Sequence, residues 1–402
     1  MCPGGHERSK GNKLCSRAVI VPVEDCPMSV KPTERKFLTN ADSFQDVSRG
    51  NPKPFSLQGE ALSNARLTPQ TWRLEIVSDG STQLAKPRRL EDNTALDLAT
   101  LEELGKRHRI KFLKAMQCLN IAQPLGQGLW EGVPLREVLK LAGKVNNVRR
   151  VYWWGFHSND PKQVFQSSLS YSQVMETPPG DLPVFVAYRL NGQPISLRRG
   201  GPVRMVVPWA HGFKSIKWLQ RITLTNDYKA NDTYANANND PESYLKTMAR
   251  IDDGPASFPS GKPIILTGLA MVGWSGLRRV EYWLRPDTGR HGQLDDDDPA
   301  WKTAEWKPCR LDPPPEDWSA HLPDGIRPHE IWGFDPRLGK PKEWPMRFSV
   351  ASWSVTLPNL SPGAYEFRVR TVDLNGYAQP EPRANRQTGR NEIQSKTILV
   401  MK

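Results

Sequence analysis

Arg199-Gly200-Gly201-Pro202-Val203-Arg204-Met205-Val206-Val207-Pro208, followed closely by His211-Gly212-Phe213-Lys214-Ser215-Ile216-Lys217-Trp218-Leu219, is the stretch on which the reading of this chain turns. Cationic side chains at 199, 204, 214 and 217 flank apolar runs of strand length. The glycines among them let backbone N–H groups approach a ligand closely. That combination suits a phosphate, with Arg supplying forked contacts and Lys point charges. A basic sheet edge protected from aggregation has the same composition, and the residues alone leave both readings open.

Working outward, Val151-Tyr152-Trp153-Trp154, Val184-Phe185-Val186-Ala187-Tyr188, Met205 to Pro208 and Ile222-Thr223-Leu224 are short apolar runs bounded by turn-formers and read as strands. Asn191-Gly192 marks a tight hairpin turn, because both residue types accept positive φ. Upstream, Trp72, Leu74 and Ile76 alternate with polar residues as on a half-buried strand. Asp97 to Leu104 reads as a short helix ended by Gly105. Ile110 to Met116 reads as a strand that delivers Cys118 to its end. Val133 to Ala142, with Pro134 at its start and Gly143 just past its end, reads as another helix. Residues 51–248 are therefore expected to form an α+β domain of mixed sheet with short helices.

Asp252-Asp253-Gly254-Pro255 marks a linker, and residues 249–402 change texture to strands without helices. Tyr365, Phe367 and Val369 share one face while Glu366, Arg368 and Arg370 share the other, as in a β-sandwich strand. An inserted loop rich in Pro, Trp and charge is expected at about 287–345. Its Asp295-Asp296-Asp297-Asp298 run lacks EF-hand spacing and reads as a solvated acidic turn. Residues 1–50 have no hydrophobic period and are expected to be a disordered arm.

The 402 residues exceed one ordinary core, and 14 Trp with 36 Pro point to strands and irregular loops. A formal charge of +12 raises nucleic acid, but no zinc-finger, helix-turn-helix or RNA-binding signature accompanies it. Solvated surface charge, or a small anionic substrate or phosphorylated cofactor, accounts for the basic clusters. Cysteines at 2, 15, 26, 118 and 309 form no CxxC pair, so neither a disulfide framework nor a zinc site is expected. No run approaches the ~20 apolar residues of a membrane span. Met1 to Pro32 is polar, and its apolar run Ala18 to Val23 is too short for a secretory signal, which leaves the compartment open.

Cys118, within Ala115-Met116-Gln117-Cys118-Leu119-Asn120, reads either as a small buried hydrophobe or as a thiolate for a soft metal or an electrophile. Several blocks in order bear on the choice. Gln117-Cys118 follows a strand, and Trp130-Glu131-Gly132-Val133-Pro134-Leu135-Arg136-Glu137-Val138-Leu139 comes next. Asn191-Gly192-Gln193-Pro194, Gly200 to Pro208 and Lys217-Trp218-Leu219 follow, with Val372 to Pro380 near the end. In this order, from about 70 to 385, the chain resembles the sulfite oxidase family of molybdopterin-dependent oxidoreductases, whose molybdopterin domain precedes an Ig-like dimerisation domain.

The resemblance implies a molybdenum cofactor, with Cys118 as protein ligand of the metal and as a catalytic residue. It implies that Arg204, Lys214 and Lys217 anchor the pterin and its phosphate, with Asn120, Arg199, His211 and Ser215 as further cofactor contacts. It places a catalytic tyrosine near Tyr234. The implied activity is oxygen-atom transfer between water and a small oxyanion or S-oxide. The implied partners are a second copy of the chain and a separate electron carrier such as a cytochrome, since no haem-attachment sequence is present. The family's arginines after the metal cysteine are replaced by Leu119-Asn120-Ile121-Ala122-Gln123, and its histidine before Gly-x-Pro-x-Arg is Arg199. Those departures argue against sulfite as substrate. A non-catalytic scaffold descended from the same family is the alternative.

Overall fold

The apolar runs on either side of the Arg199–Leu219 stretch become strands of two neighbouring sheets. The computed structural model describes residues 36–48, 50–121, 123–156, 165–178, 180–230, 241–287, 298–379 and 391–402. In the first half these include β1 (Glu75–Ser78), β2 (Ile110–Gln117), β3 (Pro124–Pro134), β4 (Arg150–Gly155), β5 (Gln166–Ser170), β6 (Phe185–Leu190), β7 (Arg204–Val206) and β8 (Leu219–Thr225). One sheet runs β1-β8-β4-β5, with β1 parallel to β8 and the rest antiparallel. The other runs β7-β6-β3-β2 and is antiparallel throughout. The chain passes from β7 to β8 through residues 207–218, so this connection crosses from one sheet to the other. One apolar core fills both sheets, with Trp72, Trp130, Trp153 and Phe185 wholly buried in it.

The helices are few and short, which makes this region α+β. The first is α1 (Gly59–Asn64) and the second α2 (Leu98–His108). Asp97 caps α2 by accepting from the Thr100 N–H at 2.8 Å, and three basic residues in its last turn complement the helix dipole. The helix runs on through Gly105, where the sequence suggested a stop. There a Cβ would run into the Tyr188 hydroxyl, so this glycine serves packing and not termination. In the predicted helix at 133–142, only Leu135–Lys140 (α3) is α-helical, because Val133 and Pro134 still belong to β3. The Asn191-Gly192 turn forms as expected, both residues at positive φ between paired Leu190 and Gln193.

From residue 248 the strands are β9 (Met248–Ile251), β10 (Ile264–Met271), β11 (Arg279–Pro286), β12 (Val350–Leu357), β13 (Gly363–Val372) and β14 (Gln394–Met401). β9-β10-β12 form one sheet and β14-β13-β11 the other. Leu266, Trp353 and Val355 from the first meet Val280, Phe367 and Ile398 from the second in a shared core. The alternation read at 365–370 is thus that of a two-sheet sandwich, with Phe367 and Val369 inside.

Two expectations change. The described part of the predicted insert is folded: Lys307–Pro308 pairs with β11, Arg310–Leu311 pairs with β12, and Trp318 seats with Ile331 and Phe334 against Leu113 and Leu129 of β2 and β3. The end of the predicted disordered arm is ordered too. Thr39 and Gln45 donate backbone bonds to Gln127 and Leu125, and Phe44 enters the main core. Residues 37–402 form one compact unit. The acidic run at 295–297 lies outside the described residues. Among the described residues, no helix is long and apolar enough to cross a membrane.

Candidate functional site

β2 ends at Gln117, and the chain leaves it with Cys118 half-buried on the wall of a cavity of about 300 Å³. Buried Gln117 ties the loop back: its Nε2 donates to the carbonyls of Cys118, at 3.1 Å, and Ile121. Asn120 and Ile121 of this loop also line the cavity. Trp130 of β3 and Phe156 and Phe165, at the β4–β5 turn, supply apolar wall.

The polar wall comes from the stretch that opened the sequence reading. Arg199 ends a 3-10 turn, Leu197–Arg199, and Gly200 follows at φ +96°. A side chain on Gly200 would be strained and would collide with Lys217. Trp218, also at positive φ, donates its N–H to the Gly200 carbonyl at 2.8 Å and turns the chain so that Lys217 lies against this glycine. A tryptophan held in that region marks local strain, which concentrates at functional sites.

Arg204 opens β7 and is enclosed. Its Nη1 donates to the Arg199 carbonyl at 2.7 Å and its Nη2 to the Ser215 carbonyl at 2.6 Å, with the guanidinium 5.0 Å from the centre of the Trp130 ring. Its Nε finds no partner among the described residues. Arg199, equally buried, donates Nη1 to the Phe44 carbonyl at 2.7 Å and leaves both Nε and Nη2 unpartnered. That free edge is the face with which a guanidinium grips an oxyanion. Lys217 reaches Ser48 Oγ at 2.6 Å, Asp46 Oδ1 at 3.1 Å and the Arg198 carbonyl at 3.2 Å.

Among the described residues, three cations line this cavity and no carboxylate does. The electrostatics register the imbalance. Burial, and then the charge of Arg199, push Arg204 down to about 9, although a guanidinium keeps its proton at neutral pH. Burial and the charge of Arg204 push Lys217 down to about 8, against the opposing pull of Asp46. Lys114 is wholly buried on β2, donates to the Pro208 carbonyl at 2.6 Å, and is pushed to about 7 by burial and Arg204. Lys217 has Asp46 as counter-ion, but Arg199 and Arg204 bond only carbonyls among the described residues; buried cations so placed are costly, and an anion in the cavity relieves that cost.

Of the residues singled out from sequence, the structure brings Cys118, Asn120, Arg199, Arg204, Ser215 and Lys217 together on one cavity. His211 and Lys214 are buried but do not line it. The His211 ring Nδ1 lies 3.1 Å from the Ser243 carbonyl, and Lys214 Nζ donates to the Ser168 carbonyl at 2.8 Å. Tyr234 lies outside the described residues. Sequence reading missed Phe44, Gln45, Val47 and Ser48, which close one side. The signal available was the Asp-x-Ser triplet at 46–48, whose Ser48 N–H bonds Asp46 Oδ1 at 3.1 Å in an Asx turn.

Among the described residues no three His, Cys, Asp or Glu gather, so they offer no all-protein metal cage. One soft thiol on the same cavity as two arginines and a lysine instead fits a group that carries its own metal ligands together with a phosphate.

The family model described as the oxidoreductase molybdopterin binding domain matches residues 61–233. Mitochondrial sulfite oxidase of Mus musculus is 27% identical over 187 residues, 44% of this chain and 33% of that protein. The protein-methionine-sulfoxide reductase catalytic subunit MsrP of Gluconobacter oxydans is 26% identical over 202 residues, 49% of this chain and 58% of that protein. The chain thus spans about a third of the sulfite oxidase it matches. The solved sulfane dehydrogenase SoxCD from Paracoccus pantotrophus superposes with a TM-score of 0.55 at 18% identity, over 87% of this chain and 86% of that one, a likeness of fold. The resemblance to the sulfite oxidase family holds, and the cofactor it implies is molybdopterin.

Proposed function

We propose that this chain, which carries a molybdopterin-binding domain of the sulfite oxidase type, is an oxidoreductase that transfers an oxygen atom between water and a small oxyanion or S-oxide. The observation that carries the proposal is the half-buried Cys118 sharing one cavity with three cations and, among the described residues, no carboxylate. When bound, the cofactor supplies a molybdenum centre able to exchange an oxygen atom and electrons.

The chain's own residues do the rest. Cys118 offers the metal a thiolate. Arg199 and Arg204, both on the cavity lining, would hold the cofactor phosphate, and Lys217 would add a point charge. Ser215 fixes the wall behind them by accepting from the Val207 N–H at 3.0 Å. The Phe44 and Trp130 rings lie 5.9 and 5.0 Å from the Arg199 and Arg204 guanidiniums. The loop after Cys118 adds no cation, and Asn120 is its hydrogen-bonding group on the cavity. A neutral S-oxide, which asks for one donor at its oxygen, suits that loop better than dianionic sulfite.

Steady-state turnover of the molybdenum-loaded chain tests this, with sulfoxides and a reduced dye set against sulfite and an artificial acceptor. S-oxide turnover is expected to dominate, and a loaded chain inert to both contradicts the proposal in favour of a scaffold. In the same proposal residues 51–248 are the catalytic domain and 249–402 an Ig-like dimerisation domain, checked by light scattering. Electrons pass to or from a separate carrier such as a cytochrome.

A further inference from the structure

The segment from Phe37 to Ser48 has no strand and one 3-10 turn, yet it forms a wall of the cavity. Its two ends are held by different physics. At the start, Phe37 packs edge-on against Trp318 with ring centres 4.8 Å apart, and 6.2 Å from Trp344. In the middle, Thr39 and Gln45 bond β3, and the Phe44 ring meets Trp130 at 6.2 Å. Toward the end the segment is held by the cavity's own cations. Arg199 bonds the Phe44 carbonyl, and Lys217 bonds Asp46 and Ser48.

The Asp46 carboxylate is itself ordered from three sides, by the Ser48 hydroxyl and by Lys217 and Lys53. Burial alone would raise the Asp46 carboxyl, but the Ser48 bond and the Lys217 charge outweigh it and hold it well below the usual carboxylate range. Asp46 is therefore ionised and fixed. The groups that act on Lys217 are Asp46 on one side and Arg204 and Arg199 on the other. Without Asp46, Lys217 would face only like charge.

We infer that Asp46 is the positioning residue of this cavity: it orients the Lys217 ammonium and, through that ion pair, latches residues 46–48, the end of the wall that retains the bound anion. This rests on the reading of the cavity as a cofactor-phosphate site. Two of the three cations then have a double task, each bonding the wall and facing the ligand. Loss of the latch frees the wall and leaves the ligand in place but poorly held.

Two measurements on the full chain test this. In the first, the loaded wild type, Asp46→Asn and Asp46→Glu are followed for release of pterin and molybdenum over time. Asp46→Asn should release them about tenfold faster and Asp46→Glu close to the wild-type rate. In the second, binding of inorganic phosphate to the cofactor-free chain is measured against pH. With Asp46→Asn the pH at which binding fails should move down, because Lys217 loses the carboxylate that faces it, and Asp46→Glu should restore it. A purely structural role for Asp46 would leave that midpoint where it is. Unchanged release and an unchanged midpoint in Asp46→Asn overturn the inference, as does a wild type that binds no phosphate. A wild type that binds phosphate but takes up no molybdenum overturns the functional proposal instead, and the phosphate titration still decides the role of Asp46.

Discussion

Buried charge is handled in opposite ways at the two ends of this molecule. In the sandwich Glu281 and Glu366 each meet counter-ions. Glu281 lies between Arg279 Nε, at 2.6 Å, and Arg370 Nη2, at 2.9 Å, while Glu366 takes Arg285 Nε at 2.6 Å and Arg368 Nε at 2.7 Å. Trp306 covers Arg370, its ring centre 3.9 Å from the guanidinium. Around the cavity, Arg199 and Arg204 are as deeply buried but bond only backbone carbonyls and keep donors unused. The first arrangement is complete in itself and stabilises a sheet. The second is incomplete, and what it lacks is an anion.

The contrast predicts different outcomes for matched substitutions. The largest is expected for Arg204→Met, which should weaken phosphate binding to the cofactor-free chain about a hundredfold, since a buried cation and its charge-assisted contact disappear. Isothermal titration reads it directly. Glu281→Gln, the counterpart in the sandwich, should leave phosphate binding untouched and lower unfolding stability by about 2 kcal/mol, measured by denaturant titration. If both variants lost phosphate equally, the distinction between the regions would fail.

Smaller effects follow from pH. With its proton lost above about 8, Lys217 should make phosphate affinity fall above that pH, although phosphate only gains charge in that direction. Lys217→Met should bind more weakly and show no such fall. Smallest is the acid limb. Asp46 is depressed in the folded chain, so its contribution is whole above the ordinary carboxylate value, about 3.9, and drains away as pH falls below it. Protease cutting within 37–48 should accordingly rise below about pH 4. Asp46→Asn should be cut readily at neutral pH.

Much of the strand framework was legible because its strands either alternate or run continuously apolar between turn-formers. β2, β4, β6, β8 and β13 lie close to where alternation or apolar runs put them. What escaped was held by isolated aromatics in polar sequence: Phe37, Phe44 and Trp318 have no periodic neighbours, so neither the wall at 37–48 nor the folded insert left a pattern. The site was legible in part. Arg199, Arg204 and Lys217 converge as the Gly-rich stretch suggested. His211 and Lys214 do not, because the intervening 3-10 turn, Gly212–Lys214, rotates successive side chains by about 120° and turns both away from the cavity. Sequence spacing carries no information about that rotation. Nor does it join Asp46 to Lys217, whose encounter depends on the tertiary fold.

The central claim is that Cys118 ties molybdenum to this chain beside its cationic cavity. X-ray absorption at the molybdenum edge, on the loaded wild type and on Cys118→Ser, tests it most directly. The account predicts one sulfur ligand fewer in the variant, with pterin still present because Arg199, Arg204 and Lys217 are intact. An unchanged sulfur count in Cys118→Ser would contradict it.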